Sequence, residues 1–228
     1  MIPYDSIEHI YKRLLIDVYK SDIETSPRGM KVREVIGQKV VLNPHDNVIT
    51  LKGFETNMNY AKKELEWYLS GSNRIDFDPL IEKVWKQFSD DGETVNSAYG
   101  HRIFGQHTLC KKHYPLLNQW NWCINKLKED RDSRQCVINI NNISDKFKET
   151  KDFPCTVYIQ VFIRNNKLIW ITNMRSNDVY FGFRNDIYCF TEMQKKMATI
   201  LGIEAGEYIH FAGSFHLYEA QFEKVSKL

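Results

Sequence analysis

Cys155 follows Pro154 and opens the apolar run Thr156-Val157-Tyr158-Ile159-Gln160-Val161-Phe162-Ile163. Beyond a short polar stretch lies the cluster Asn173-Met174-Arg175-Ser176-Asn177-Asp178. If the run is a strand and the cluster returns on the strand paired with it, a thiol meets a guanidinium. A positive charge beside a thiol favours the thiolate, which is the nucleophile. The plainer alternative is a small buried cysteine next to a surface charge cluster. Other chemistry-bearing residues have equally plain alternatives when taken singly. Glu64 in a helix is ordinarily a solvated charge, Tyr99 a half-buried tyrosine, and His216 a satisfied buried histidine.

The elements that must position these groups are legible from pattern. Residues 156–163 are β-branched and aromatic, which predicts a strand. Residues 164–167 have hairpin length, and 168–172 form a second apolar run. Residues 6–19 carry Ile7, Ile10, Tyr11, Leu14, Leu15 and Val18 at helical spacing, with Asp5 or Ser6 as cap. Residues 21–29 read as a loop, and 32–42 as one or two strands broken near Gly37. A helix is predicted over 57–69, with Glu64 in it and Glu66 as a solvated neighbour. Asp78 and Pro79 suit the N-cap and first turn of a helix over 79–88, whose face carries Ile81, Val84, Trp85 and Phe88. Further helices are predicted over 114–128 and 185–201, and strands over 136–140 and 206–211.

With 228 residues, 43% hydrophobic and 26% charged, the chain reads as one globular domain over 1–228. A formal net charge of +2 gives no general nucleic-acid surface. No apolar run reaches membrane-spanning length, and no signal-peptide pattern opens the chain. The five cysteines (Cys110, Cys123, Cys136, Cys155, Cys189) are scattered without CxxC spacing. This argues for reduced thiols in a cytoplasm, and against a metal site.

Several motifs occurring in order over most of the chain resemble the thymidylate synthase superfamily. They are Glu64-Leu65-x-Trp67-Tyr68-Leu69-x-Gly71, Trp85, Ser97-Ala98-Tyr99-Gly100, Asp132-Ser133-Arg134, Pro154-Cys155, Gln160, Met174-Arg175-Ser176-x-Asp178-Val179-x-x-Gly182 and Gly213-Ser214-Phe215-His216-Leu217-Tyr218. Within that superfamily, residues 173–186 look most like the phage deoxycytidylate hydroxymethylases. The chain departs from the pattern at Thr156, where the family has histidine; at Gln135, where it has a second arginine; and at Phe88, where it has tryptophan.

The resemblance implies an α/β (α+β) fold, with a mixed sheet forming a homodimer interface and helices on its other face. It implies a pyrimidine nucleoside monophosphate as substrate and 5,10-methylenetetrahydrofolate as one-carbon donor, with no metal. Cys155 would attack C6 of the base, making C5 nucleophilic. Glu64 would handle proton transfer and activate water, and Tyr99 would assist proton movement at C5. Arg175, Ser176 and Arg28 would bind the phosphate, together with Arg134 from the other subunit. His216 and Tyr218 would hold the sugar 3′-hydroxyl. Asp178, Trp85 and Phe88 would line the folate site with Glu64.

Asp186 takes the place of an asparagine that reads uracil in thymidylate synthases. A carboxylate accepts from the N4 amino group of cytosine, and one proton shared with N3 completes the pair; against uracil it meets O4 as acceptor on acceptor. The expected activity is therefore deoxycytidylate 5-hydroxymethylation. A uracil-directed hydroxymethylase or thymidylate synthase follows if Asn185 is the reader, and a binding-only nucleotide or RNA homologue is the alternative outside enzymes. The chain ends soon after Tyr218, so it carries less of a closing tail, as an enzyme that adds water could tolerate.

Overall fold

The structure is a computed structural model and describes residues 5–105, 118–147 and 149–228. It has one mixed six-stranded sheet: β1 (Glu24–Thr25), β2 (Val32–Leu42), β3 (Val137–Asn139), β4 (Thr156–Arg164), β5 (Lys167–Asp178) and β6 (Glu204–Tyr218). The spatial order is β1-β2-β6-β5-β4-β3. Every neighbouring pair is antiparallel except β5 and β6, which run parallel at the centre. That connection needs a crossover, supplied by the long helix α6 (Gly182–Ile200).

The expected hairpin forms. Asn165 and Asn166 take left-handed φ of 50° and 56°, the pair of positive angles that a tight turn between twisted strands requires. Arg164 then faces Lys167. The second strand is much longer than its apolar run predicts: β5 continues through the polar cluster to Asp178. Hydrogen bonding to β6 carries it, with Ser176 opposite Ser214 and Asp178 opposite His216. Similarly, β6 reaches Tyr218 rather than stopping at Phe211, and β2 is a single strand through Gly37. On β5 burial alternates: Leu168, Trp170, Thr172 and Met174 face the core, while Ile169, Ile171 and Asn173 are half-buried on the other face.

Helices α1 (Ile7–Tyr19), α5 (Gln119–Glu129) and α6 pack on the sheet. Ser6 caps α1, its Oγ accepting from the His9 N–H at 3.3 Å, and all six expected apolar positions are buried. The predicted helix over 114–128 begins outside the described residues and is seen as α5. Helix α2 (Met58–Ser70) is capped by Asn57. Helix α3 (Pro79–Trp85) starts as expected, with Asp78 Oδ1 accepting from Leu80 N–H at 2.9 Å. It tightens to a 3-10 turn over Lys86–Phe88 rather than continuing as α-helix.

Short helix α4 (Tyr99–Phe104) lies hard against α2. A Cβ at Gly100 would fall 2.0 Å from the Tyr68 carbonyl oxygen, so only glycine permits this approach. The approach brings Tyr99 and Glu64 to the same side of the core. A short terminal helix, α7 (Phe222–Val225), follows β6.

Candidate active site

The first half of the site is a mouth at the start of β4. Cys155 is half-buried. Its carbonyl accepts the Arg175 backbone N–H at 2.8 Å, and a β-bulge follows at Thr156 to Tyr158. Bulges next to functional groups re-aim side chains. Arg175 is tethered: Nε donates to the Pro154 carbonyl and Nη2 to the Phe153 carbonyl, both at 2.9 Å. The same Nη2 lies 3.7 Å from Cys155 Sγ, so the expected thiol–guanidinium pair is present. Its effect differs from expectation. Burial raises the thiol pKa; Arg175, and more weakly Arg28, oppose the rise without reversing it. In the unliganded chain the thiol form is therefore favoured.

Arg28 reaches this mouth from an exposed loop in a left-handed conformation, φ 53°, which is uncommon for a side chain of this size. Its charge acts on both Cys155 and Tyr218. Ser176 follows Arg175 on β5, half-buried. On β6, His216 and Tyr218 meet edge to face with centroids 5.2 Å apart. Burial lowers the pKa of His216, and its Nδ1 is buried without a hydrogen-bond partner. A polar atom left so is available to a ligand hydroxyl.

Arg134 is not brought to this mouth. It precedes β3, whose Val137 pairs with Gln160, so it lies beside the far end of β4. Eight residues of strand separate that level from Cys155, about 25 Å at 3.3 Å per residue. Gln135 is exposed next to it.

The second half of the site is a buried floor. Glu64 on α2 is 5% exposed, so the ordinary expectation of a solvated charge does not hold for it, while Glu66 is exposed and pairs with Lys63 at 2.9 Å. Burial pushes the Glu64 carboxyl up to about 7, against the Tyr60 hydroxyl, which donates to Oε1 at 2.7 Å. Trp85 Nε1 donates in turn to the Tyr60 oxygen at 3.0 Å. Trp85 thus braces Glu64 through Tyr60, and its ring also meets Trp67 at 5.5 Å and Phe88 at 5.7 Å.

Asp186, on the first turns of α6, is 8% exposed and held by Asn177 Nδ2 at 2.7 Å. Burial first, and then the Glu64 charge, push its carboxyl up to about 8. Asn185 is half-buried beside it, so of the two adjacent candidates Asp186 is the more buried. Tyr99 is buried between mouth and floor; its hydroxyl accepts the Thr156 N–H at 3.2 Å, and both Cys155 and Asp186 act on it electrostatically.

Asp178 has a structural duty: Oδ1 accepts from the Tyr180 N–H at 2.7 Å and the Phe181 N–H at 3.3 Å, holding the turn into α6. Burial raises its pKa. Its other oxygen makes no hydrogen bond among the described residues. Trp85 and Phe88 lend a partly exposed aromatic surface. A carboxylate with one open oxygen and flat aromatic rings suit the N–H donors and flat ring of a pterin.

Four contributors escaped the sequence reading: Tyr60, Asp152, Asn177 and His210. Asp152 Oδ2 accepts the Ser97 N–H at 2.7 Å and ties the Tyr99 segment to the Cys155 segment. Tyr60 stands one helical turn before Glu64, a spacing that could have flagged it. Asn177 and His210 are polar residues at core-facing strand positions, the signal that marks a buried network.

A family-model search matches residues 9–228 to "Thymidylate synthase", and the chain belongs to that family of one-carbon transferases acting on pyrimidine nucleotides. It is 33% identical over 215 residues to the deoxyuridylate hydroxymethyltransferase of Bacillus phage SP01, covering 92% of this chain but 56% of that relative. It is 30% identical over 229 residues to the deoxycytidylate 5-hydroxymethyltransferase of Enterobacteria phage T4, covering 95% of this chain and 88% of that relative. The phage T2 enzyme of the same name matches equally. Among the described residues no helix is long and apolar enough to cross a membrane, and no group of three or more side chains could hold a metal ion.

Proposed function

We propose that the chain is a deoxycytidylate 5-hydroxymethyltransferase that takes its one-carbon unit from 5,10-methylenetetrahydrofolate. The observation that carries this reading is Asp186: a carboxyl buried on the site floor, raised to about 8 and hydrogen-bonded by an amide N–H. At neutral pH such a group keeps its proton. A protonated carboxyl offers O–H to N3 of cytosine and a carbonyl oxygen to its N4 amino group, which together match the base.

The remaining chemistry follows from the other residues. Nucleotide phosphate, bound by Arg175, Ser176 and Arg28, brings C6 of the base to Cys155. Arg175 stabilises the thiolate as it forms and adds. Glu64, near 7, can give and take a proton at working pH, moving it at the base and then activating the water that adds to the exocyclic methylene on C5. Tyr99 passes protons at C5, and His216 with Tyr218 holds the sugar 3′-hydroxyl. Asp178, Trp85, Phe88 and Glu64 would hold the folate, which supplies carbon at the oxidation level of formaldehyde.

The reading includes a homodimer. The sheet face away from the helices carries half-buried Phe162, Ile169, Ile171, Ile209 and Phe211, with Ile36 61% exposed at its side. A second sheet would cover this apolar face, and Arg134, too far from its own Cys155, would serve the partner's phosphate.

A second reading rests on the phage SP01 relative, named for deoxyuridylate. Tritium release from C5-labelled dCMP and dUMP, each with the folate, followed by product mass, separates the two. Release from dCMP with gain of a hydroxymethyl group is expected. Release from dUMP alone overturns the cytosine assignment, and release from neither leaves a binding protein.

A further inference from the structure

A row of buried polar side chains runs along β5 and β6 to Asp186. Trp170 Nε1 donates to Thr172 Oγ1 at 3.0 Å. The Thr172 hydroxyl stands beside that of Tyr208, whose backbone is registered with Trp170. Tyr208 Oη lies 2.9 Å from His210 Nδ1; His210 Nε2 lies 3.0 Å from Asn177 Oδ1; Asn177 Nδ2 lies 2.7 Å from Asp186 Oδ2. Thr172, Tyr208 and His210 are fully buried.

The row has a direction. An indole N–H can only donate. It occupies a lone pair of Thr172, whose own proton is free to turn toward the neighbouring Tyr208 oxygen. Tyr208 then donates to His210 Nδ1, leaving the ring proton on Nε2. That proton goes to the Asn177 carbonyl, so the Asn177 amide must present N–H to Asp186. Burial holds His210 neutral, with its pKa lowered to about 3, so the ring keeps one proton and one tautomer. Its ring meets the Phe183 ring edge to face at 5.2 Å and the Tyr208 ring, tilted, at 6.1 Å. Space for the last link is kept by Gly182, where a Cβ would fall 3.1 Å from Asn177 Nδ2 and 3.4 Å from Asp186 Oδ2.

We infer that Tyr208, His210 and Asn177 are positioning residues that decide which oxygen of Asp186 carries its proton, and thereby set the preference for cytosine over uracil. The inference rests on the cytosine reading of the site and deepens it. The carbonyl oxygen of a carboxylic acid is its better acceptor, so the amide N–H at Oδ2 favours the proton on the other oxygen, Oδ1. Cytosine then meets O–H at N3 and carbonyl oxygen at its amino group. Uracil needs the opposite: an acceptor for N3–H and a donor for O4. It is served with the proton on Oδ2, where the hydroxyl oxygen is a poorer acceptor for the Asn177 N–H than a carbonyl oxygen, or with the row back to Tyr208 reversed.

The test is the ratio of kcat/KM on dCMP to that on dUMP, in wild type, His210→Phe, His210→Gln and Tyr208→Phe. His210→Phe removes the donor to Asn177, and the ratio is expected to fall about tenfold or more. His210→Gln restores an amide N–H toward Asn177 and should hold the ratio within about threefold of wild type. Tyr208→Phe, which keeps the imidazole and its packing, should lower the ratio by about threefold, a check that stands if His210→Phe fails to fold. Nitrogen NMR of the full chain, labelled at histidine, should show His210 protonated on Nε2.

A merely structural role lowers turnover of both substrates alike. Wild-type preference for dCMP with an unchanged ratio in His210→Phe and Tyr208→Phe, or a ring protonated on Nδ1, overturns this inference alone. Turnover of dUMP only by wild type overturns the reading of the site and this inference with it.

Discussion

The mouth and the floor of the site handle charge in opposite ways. At the mouth the ionic groups are arginines, permanently charged and open to solvent: Arg175 and Arg28 are both exposed. The Arg175 guanidinium is aimed by two backbone carbonyls, so its position is set by the fold of residues 153–155. On the floor the groups are carboxyls, buried and paired only with neutral partners: a phenol at Glu64 and an amide at Asp186. So few neutral donors do not hold a carboxylate ionised against full burial, and both pKa values rise into the working range. The mouth therefore supplies fixed charge for binding an anion, and the floor supplies movable protons. An enzyme that must hold a phosphate while shuttling protons at a base has use for both, kept apart.

That division predicts how substitutions should fail. The largest loss is expected from Cys155→Ala, which removes the proposed nucleophile at the mouth. Tritium release from C5 should vanish, while dCMP binding, read by calorimetry, stays near wild type because the arginines and floor are intact. Loss of binding together with turnover would break the separation. Next comes Glu64→Gln, which keeps the shape and the Tyr60 contact but not the titration. Turnover should drop about 10²–10⁴-fold, the usual range for a lost acid–base group. The limb of the pH–kcat profile near 7 should go with it. Asp186→Asn should cost about a hundredfold or more on dCMP and gain activity on dUMP, since one amide satisfies both N3–H and O4.

A smaller effect tests the floor without substrate. Folded Glu64 and Asp186 hold protons to about 7 and about 8, whereas an unfolded chain releases them near 4. Between those values the folded state binds more protons, so their contribution is complete below pH 4 and is lost as pH rises toward 8. His210 acts in the other sense: lowered to about 3, it subtracts stability only as pH falls below its ordinary 6.5. The unliganded protein should lose a few kcal/mol between pH 5 and pH 8. Thermal melts across that interval would show it, and Asp186→Asn should flatten the slope. A pH-independent melt would mean the floor carboxyls are solvated.

The two regions also differed in how far the sequence disclosed them. The mouth is local: Pro154-Cys155 leads into one strand of a hairpin and Met174-Arg175-Ser176 lies on the other, and hairpin pairing follows from the apolar runs and the short turn between them. The floor is assembled from distance. Asp186 finds Asn177 nine residues away across a turn, and Asn177 finds His210 33 residues on, across a parallel strand pair. Parallel register is set by the crossover helix, which no periodicity in β6 specifies. The length of β5 was hidden for the same reason. Polar residues 173–178 carry no strand signal of their own, and they are extended because β6 pairs with them. The helix caps were legible because Ser6 and Asp78 each act within three residues. What Arg175 does to the thiol was not, since burial of Cys155 outweighs a neighbour that sequence alone can name.

The smallest expected effect concerns the mouth and the partner subunit of the proposed homodimer. Gln135 stands where the family has a second arginine, exposed and remote from Cys155 of its own chain. Gln135→Arg adds one solvent-screened charge, worth at most about 1 kcal/mol when it meets a phosphate at a surface. KM for the nucleotide should fall about threefold at low salt, and the gain should fade as ionic strength passes 0.1 M, where the screening length nears 10 Å. In the proposed homodimer this charge serves the other subunit's phosphate, so the gain should also disappear under dilution that separates the subunits. A gain that survives dilution would mean the phosphate sits elsewhere than beside Arg175. A gain that survives salt would mean the mouth is as closed as the floor, and the contrast between them would fail.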